Sequence, residues 1–172
     1  MISKKLQEAI NKQINNEFYS EYLYLSMAAY FDAENLDGIA HFFYVQTKEE
    51  NVHAMKLFRF LIEKGGRVKL HAIDAPKSEF KSVIEPFEMS LKHEQHISKC
   101  IDDLMDTAIK ENDHGVISFL KWFVDEQVEE EATAEKLLYK VKLVKGEGQG
   151  LLMLNNELAG YTPKKTGAEE KA

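Results

Sequence analysis

Glu50 and His53 stand three residues apart, a spacing that puts a carboxylate and an imidazole on one face of a helix. Gln127 and Glu130 repeat the spacing, and Glu17 and Glu94 supply two further carboxylates. Carboxylate oxygens with one imidazole and one amide form a hard to borderline donor set, suited to iron or manganese and able to take zinc. Gathered in a core, such groups need a cation. An isolated buried carboxylate costs several kcal/mol or gives up its charge through a shifted pKa.

Gathering them is a task for long helices. Four segments carry helical periodicity, Ser3 to Ala33, Asp37 to Lys64, Ser82 to Lys110 and Asp113 to Val144, with Ser3, Asp37, Ser82 and Asp113 as N-caps. Short links at Glu34-Asn35-Leu36 and Glu111-Asn112 predict two antiparallel hairpins. The stretch from Gly65-Gly66 to Lys81, about 17 residues, could reach roughly 55 Å and span a helix of about 42 Å, so one long crossover joins the hairpins. After a glycine-rich hinge at 146–150, Leu151 to Leu158 forms a helix too short to stand alone, which must dock on the bundle or on another subunit.

The stripes facing a bundle axis are apolar at both ends and polar in the middle. They read Leu6, Ile10, Gln13, Glu17, Ser20, Tyr24, Met27 in the first helix and Ile39, Phe43, Gln46, Glu50, His53, Leu57, Phe60 in the second. The third gives Val83, Phe87, Ser90, Glu94, Ile97, Ile101, Leu104, Ala108, and the fourth Val116, Leu120, Phe123, Gln127, Glu130, Ala134, Leu137, Val141. Each polar break lies near its helix midpoint and contains no Lys or Arg, so the side chains converge at one level. A metal site is implied, and a two-metal centre bridged by a carboxylate is the economical assembly. Within 125–131, Asp125 and Glu131 read as a solvated acidic face, and Cys100 as a small buried residue.

The totals agree. A chain of 172 residues with 44% apolar and 30% charged residues, three prolines and nine glycines fits one helical domain. A net charge of -7 argues against nucleic acid as partner. One cysteine excludes an internal disulfide or a thiolate metal cluster. With no signal-like or membrane-length apolar run, the chain is expected to be cytoplasmic and to bind no membrane.

The set Glu17, Glu50-x-x-His53, Glu94 and Gln127-x-x-Glu130 resembles the iron-oxidising centre of bacterial non-haem ferritins, over nearly the whole chain from Leu6 to about Pro163. The resemblance implies an all-α ferritin-like four-helix bundle with one long crossover and a short fifth C-terminal helix. It is one domain over 1–160, with the bundle at about 3–144 and the fifth helix at about 148–159. A polar tail at 161–172 is expected to be disordered. It further implies a ferroxidase, in which O2 or H2O2 oxidises two Fe(II) ions and Fe(III) is stored as mineral in a shell of 24 subunits. Glu17, Glu50 and His53 would hold one iron, and Glu50, Glu94 and Glu130 the other, with Gln127 nearby. A third iron would take Glu49, Glu126, Glu129 and Glu130, and Tyr24 matches a tyrosine that donates an electron. Val52 stands where haem-binding relatives carry Met, so no haem is expected. Other readings are a passive iron buffer, a peroxide scavenger without a mineral store, or a scaffold bundle whose carboxylates reach solvent.

Overall fold

The computed structural model describes residues 2–162, so the expected disordered tail at 161–172 lies outside the described residues except for Tyr161 and Thr162. Among the described residues the chain is all-α: α1 (Lys4–Ala33), α2 (Asp37–Glu63), α3 (Ile84–Lys110), α4 (His114–Leu143) and α5 (Gly148–Leu158). The first four helices hold 30, 27, 27 and 30 residues. At a rise of about 1.5 Å per residue they are long enough to put a central layer well away from both ends.

Ser3 and Asp113 cap as expected, accepting from Leu6 N and from Gly115 N and Val116 N. Asp37 and Ser82 do not. Asp37 is the first helical residue of α2, and Val83 precedes α3, neither helix having a side-chain cap of its own. The free donors of α2 are met from elsewhere, because Asn155 Oδ1 of α5 accepts from Gly38 N at 2.9 Å and Ile39 N at 3.0 Å. The approach is so close that a Cβ on Gly38 would stand 1.8 Å from the Asn155 carbonyl oxygen. The fifth helix therefore docks on its own bundle, burying Leu151, Leu154 and Leu158 and sealing the start of α2.

Asn35 and Asn112 close the two hairpins with φ of 57° and 54°, the left-handed conformation that Asn tolerates at a helix end. Between the hairpins the crossover climbs along α1. Asn11 donates to Arg67 O and accepts from Lys69 N near one end, and Ser26 donates to Lys77 O near the other. This polar stitching fixes α3 antiparallel to α1.

The core is divided. One apolar cluster holds Leu23, Met27, Phe31, Phe43, Phe87 and Val141 with the leucines of α5. The other holds Ile10, Ile14, Leu57, Ile101, Leu120 and Phe123. Between them lies a buried layer of Glu17, Ser20, Gln46, Glu50, His53, Ser90, Glu94, Gln127 and Glu130. Each buried Leu, Ile or Phe contributes roughly 1.5–3 kcal/mol, so the two clusters can offset a central layer that costs several kcal/mol per buried ion.

Candidate metal centre

The polar waist draws one or two side chains from each long helix because the stripes run in step: Glu17, Glu50, Glu94 and the pair Gln127 and Glu130 all lie within about a turn of their helix midpoints. Glu17, Glu50, His53 and Glu94 are at most 3% exposed, Gln127 5% and Glu130 8%, so bulk water cannot satisfy them.

The hydrogen-bond donors to these carboxylates are amides and one phenol. Glu17 accepts from Gln13 Nε2 at 2.8 Å, and its other oxygen is shut off from water with no partner. Glu94 accepts from the Tyr24 hydroxyl on one oxygen and from Gln127 Nε2, 3.2 Å away, on the other. Glu130 accepts from Gln46 Nε2 at 3.1 Å, which leaves Gln46 Oε1 with no partner. His53 Nδ1 lies 3.5 Å from Glu50 Oε2. The Lys ion pairs found among the described residues join other carboxylates, such as Lys64 with Asp113, and none reaches this layer.

Electrostatics follow from that isolation. Burial raises the carboxyl pKa of Glu17 and Glu94 above the ordinary value. It raises Glu50 and Glu130 far above it, with the Glu94 charge adding to both. The Tyr24 phenol is pushed well up by burial and then by Glu94. In the metal-free protein these groups compete for protons, whereas two divalent cations would let all four carboxylates ionise together. An oxygen-rich nest with orphaned buried acceptors fits a hard cation.

Ligand atoms of Glu17, Glu50 and His53 lie within 4.8 Å of one another, and so do those of His53, Glu126 and Glu130. Glu94 and Gln127 face this group across the bundle through their mutual hydrogen bond. Glu49, Glu126, Glu129 and Glu130 line one cavity of about 450 Å³, which opens between α4 and α5. Glu49 is half-buried with an unpartnered oxygen, its carboxyl pushed up to about 7 by burial and by Glu126 and Glu94 against the opposing His53.

The surrounding residues divide between expectation and omission. Trp122 packs edge-on against His53, ring centroids 5.4 Å apart, and Val52 is exposed on the far face. Asp125 is solvated as expected, but Glu131 is half-buried and accepts from Ser98, and Cys100 is half-buried, its sulfur 3.6 Å from His96 Nε2. Gln13 and Gln46 are legible only as polar members of the stripes; Gln13 stands four residues before the Glu17 it donates to, whereas Gln46 reaches across the bundle to Glu130 and not to Glu50. Tyr161 was missed, being assigned to the tail. Its ring packs on Phe42 at 4.8 Å, its N–H donates to Leu158 O, and its side chain lines the acidic cavity.

Comparison with known proteins agrees with this geometry. Residues 7–144 match the family described as a ferritin-like domain. A bacterial non-heme ferritin of Staphylococcus aureus is 38% identical over 162 residues, covering 94% of this chain and 98% of that one. Another, from Staphylococcus saprophyticus, is 40% identical over 159 residues, 92% and 95% of the two chains. The open-pore ferritin of the hyperthermophilic archaeon Archaeoglobus fulgidus superposes with a TM-score of 0.92 at 46% identity, covering 94% of this chain and 98% of that one.

Proposed function

Because this chain belongs to the ferritin family, we propose that it stores iron by oxidising it: Fe(II) is the substrate, the buried waist is the ferroxidase centre, and Fe(III) passes to a mineral inside a shell of 24 copies. The observation that carries this reading is the convergence of four buried carboxylates and one imidazole, from four helices, with no cationic side chain among them.

On this reading two Fe(II) ions displace the protons that burial holds on the carboxyl groups. Glu17, Glu50 and His53 bind one, and Glu50, Glu94 and Glu130 the other. Glu50 would serve both, since its ligand oxygen lies within 4.8 Å of those of Glu17 and His53 in the middle of the layer. Two ions surrender one electron each to O2, which takes up two protons to give H2O2, or to peroxide, which gives water. Gln13 and Gln46 hold Glu17 and Glu130 in place by single amide hydrogen bonds, which orient without supplying charge. The Tyr24 hydroxyl, donating to Glu94, can release its proton there when the phenol gives up an electron.

Fe(II) added anaerobically, followed by O2, tests the reading. Fast oxidation to Fe(III) that is lost in Glu50→Ala supports it, and equal rates in the two proteins would overturn it. Sedimentation addresses storage separately: a large closed particle is expected, and monomers or dimers alone would remove the mineral store while leaving the redox chemistry.

A further inference from the structure

The cavity beside the centre contains one group that the ferroxidase reading leaves unused. Tyr161 follows α5 directly, and three contacts hold it: its N–H on Leu158 O at 3.0 Å, its carbonyl on His41 Nε2 at 3.0 Å, and its ring edge-to-face on Phe42 at 4.8 Å. These contacts fix the backbone and the ring but not the phenol oxygen, which has no hydrogen-bond partner among the described residues. The side chain lines instead the cavity of about 450 Å³, whose charged lining is Glu49, Glu126, Glu129, Glu130 and Lys136, together with Lys140 already paired to Glu157.

Unsatisfied acceptors adjoin the cavity. One oxygen of Glu49, which lines it, is buried without a partner, and Gln46, only 3% exposed and outside the lining, spends its amide N–H on Glu130 and leaves Oε1 unpaired. Ligand atoms of Glu126, Glu130 and His53 already converge within 4.8 Å. The cavity thus begins at the inner carboxylates and ends on a phenol.

We propose that Tyr161 is a ligand for oxidised iron on its way out of the centre, binding Fe(III) as a phenolate within the acidic cavity. The inference rests on the ferroxidase reading for the source of the iron, though not for the bond itself. Fe(III) is a harder acid than Fe(II) and gains more from an anionic oxygen, so a phenol discriminates in favour of the product. Without the ion the phenol stays protonated: burial and then Glu49, Glu130 and Glu126 hold its pKa well above that of a free tyrosine. A trivalent cation among those carboxylates reverses the balance. One Fe–O bond forms, the O–H bond breaks, the proton leaves to solvent through the open side of the cavity, and no electron moves.

Phenolate bound to Fe(III) absorbs visible light by charge transfer and shows tyrosinate modes in resonance Raman, which carboxylates and imidazole do not. Tyr161→Phe removes the oxygen and keeps the ring on Phe42, so it is not expected to disturb the fold. With sub-stoichiometric iron and O2, the native protein is expected to show the band, which decays as mineral grows, and Tyr161→Phe to lose it. Persistence of the band in Tyr161→Phe would overturn the proposal, as would its absence from native protein that oxidises iron rapidly. Ferric nitrilotriacetate added to the metal-free protein separates the two readings. A band that appears there and is lost in Tyr161→Phe upholds the ligand even if no Fe(II) oxidation is found, and no band there refutes it.

Discussion

Glu49→Gln separates the cost of the acidic cavity from its use. In the metal-free protein the Glu49 carboxyl is raised from 4.5 to about 7, by burial first and by Glu126 and Glu94 after it. A group whose folded pKa lies above its unfolded value stabilises fully below the lower figure, and that contribution is lost as pH rises through the higher one. At pH 7 the unfolded chain ionises freely and the folded chain ionises only by half, which disfavours folding by about 3 kcal/mol at about 1.36 kcal/mol per unit. An amide is never charged but still needs desolvating, a loss of about 1 kcal/mol where no partner is found. The variant should therefore be more stable than the parent by about 1–3 kcal/mol at pH 7 and equal to it or slightly weaker at pH 4. Urea denaturation of both proteins, stripped of metal and followed by helix circular dichroism at matched concentration, measures the difference. A gain that is the same at both pH values, or no gain at pH 7, would refute the electrostatic account of this cavity. The complementary expectation concerns turnover: the first additions of Fe(II) are oxidised and later ones slow, because the site receiving the product has lost a ligand.

Other perturbations reach the remaining layers. Asn155→Ala deletes both bonds to the start of α2 and should cost about 1–2 kcal/mol, with faster hydrogen exchange at Gly38 and Ile39; unchanged exchange at those amides would show that the cap is not made. Gly38→Ala drives a methyl into the Asn155 carbonyl, so α5 must move off and the 145–150 segment become sensitive to protease, an effect larger than that of losing the cap. Zinc titrated calorimetrically in buffers of different ionisation enthalpy should release protons from Glu17, Glu50, Glu94 and Glu130, with fewer per ion as pH rises, since all four pKa values are raised; release independent of pH would contradict their burial. Tyr24→Phe removes the donor that lowers the Glu94 pKa, so the proton competes better and the metal held by Glu94 should bind roughly fivefold more weakly, about 1 kcal/mol, by competition titration.

The waist was readable in the sequence for a definite reason. Glu17, Glu50, Glu94 and Glu130 fall on stripes spaced three and four residues apart that turn apolar toward both helix ends, and an unbroken helix turns that spacing into a common face. Every residue assigned to the fourth stripe is buried, and the first stripe is buried throughout. What the sequence hid depends on distant contacts. The start of α2 is capped by Asn155, more than a hundred residues away, and no local pattern announces a cap lent by another helix. Asp37 looked like that cap because its residue type suits the role, but the first turn already includes it. Tyr161 sat beside a polar tail, and composition alone counts a residue with its neighbours in sequence, whereas its ring belongs to Phe42.

The two halves of the waist differ in what lies behind them, and the difference bears on whether metal is kept or passed on. Behind Glu17 the neighbours are Gln13 and the apolar cluster of Ile10, Ile14 and Leu57, and the cavity of about 160 Å³ that Gln13 lines offers one carboxylate, Asp103, beside Lys12. Behind Glu130 lies a cavity of about 450 Å³ lined with further carboxylates. The side opposite Glu50 and His53 has Gln127 and Glu130 with no second histidine, and the Gln127 amide already donates to Glu94. A neutral amide facing its hydrogens to a carboxylate opposes a cation there more than an imidazole lone pair would. On the proposed ferroxidase reading, weaker holding on this side, with a row of carboxylates leading away, would favour one-way transfer, each oxidised ion leaving a tight site for a looser one and then for the open cavity. Replacing Gln127 by His should therefore trap oxidised iron. In Gln127→His the first turnover is expected to proceed while refilling of the centre, followed by repeated Fe(II) additions, slows severalfold. Refilling as fast as in the parent would show that the amide plays no part in letting iron go.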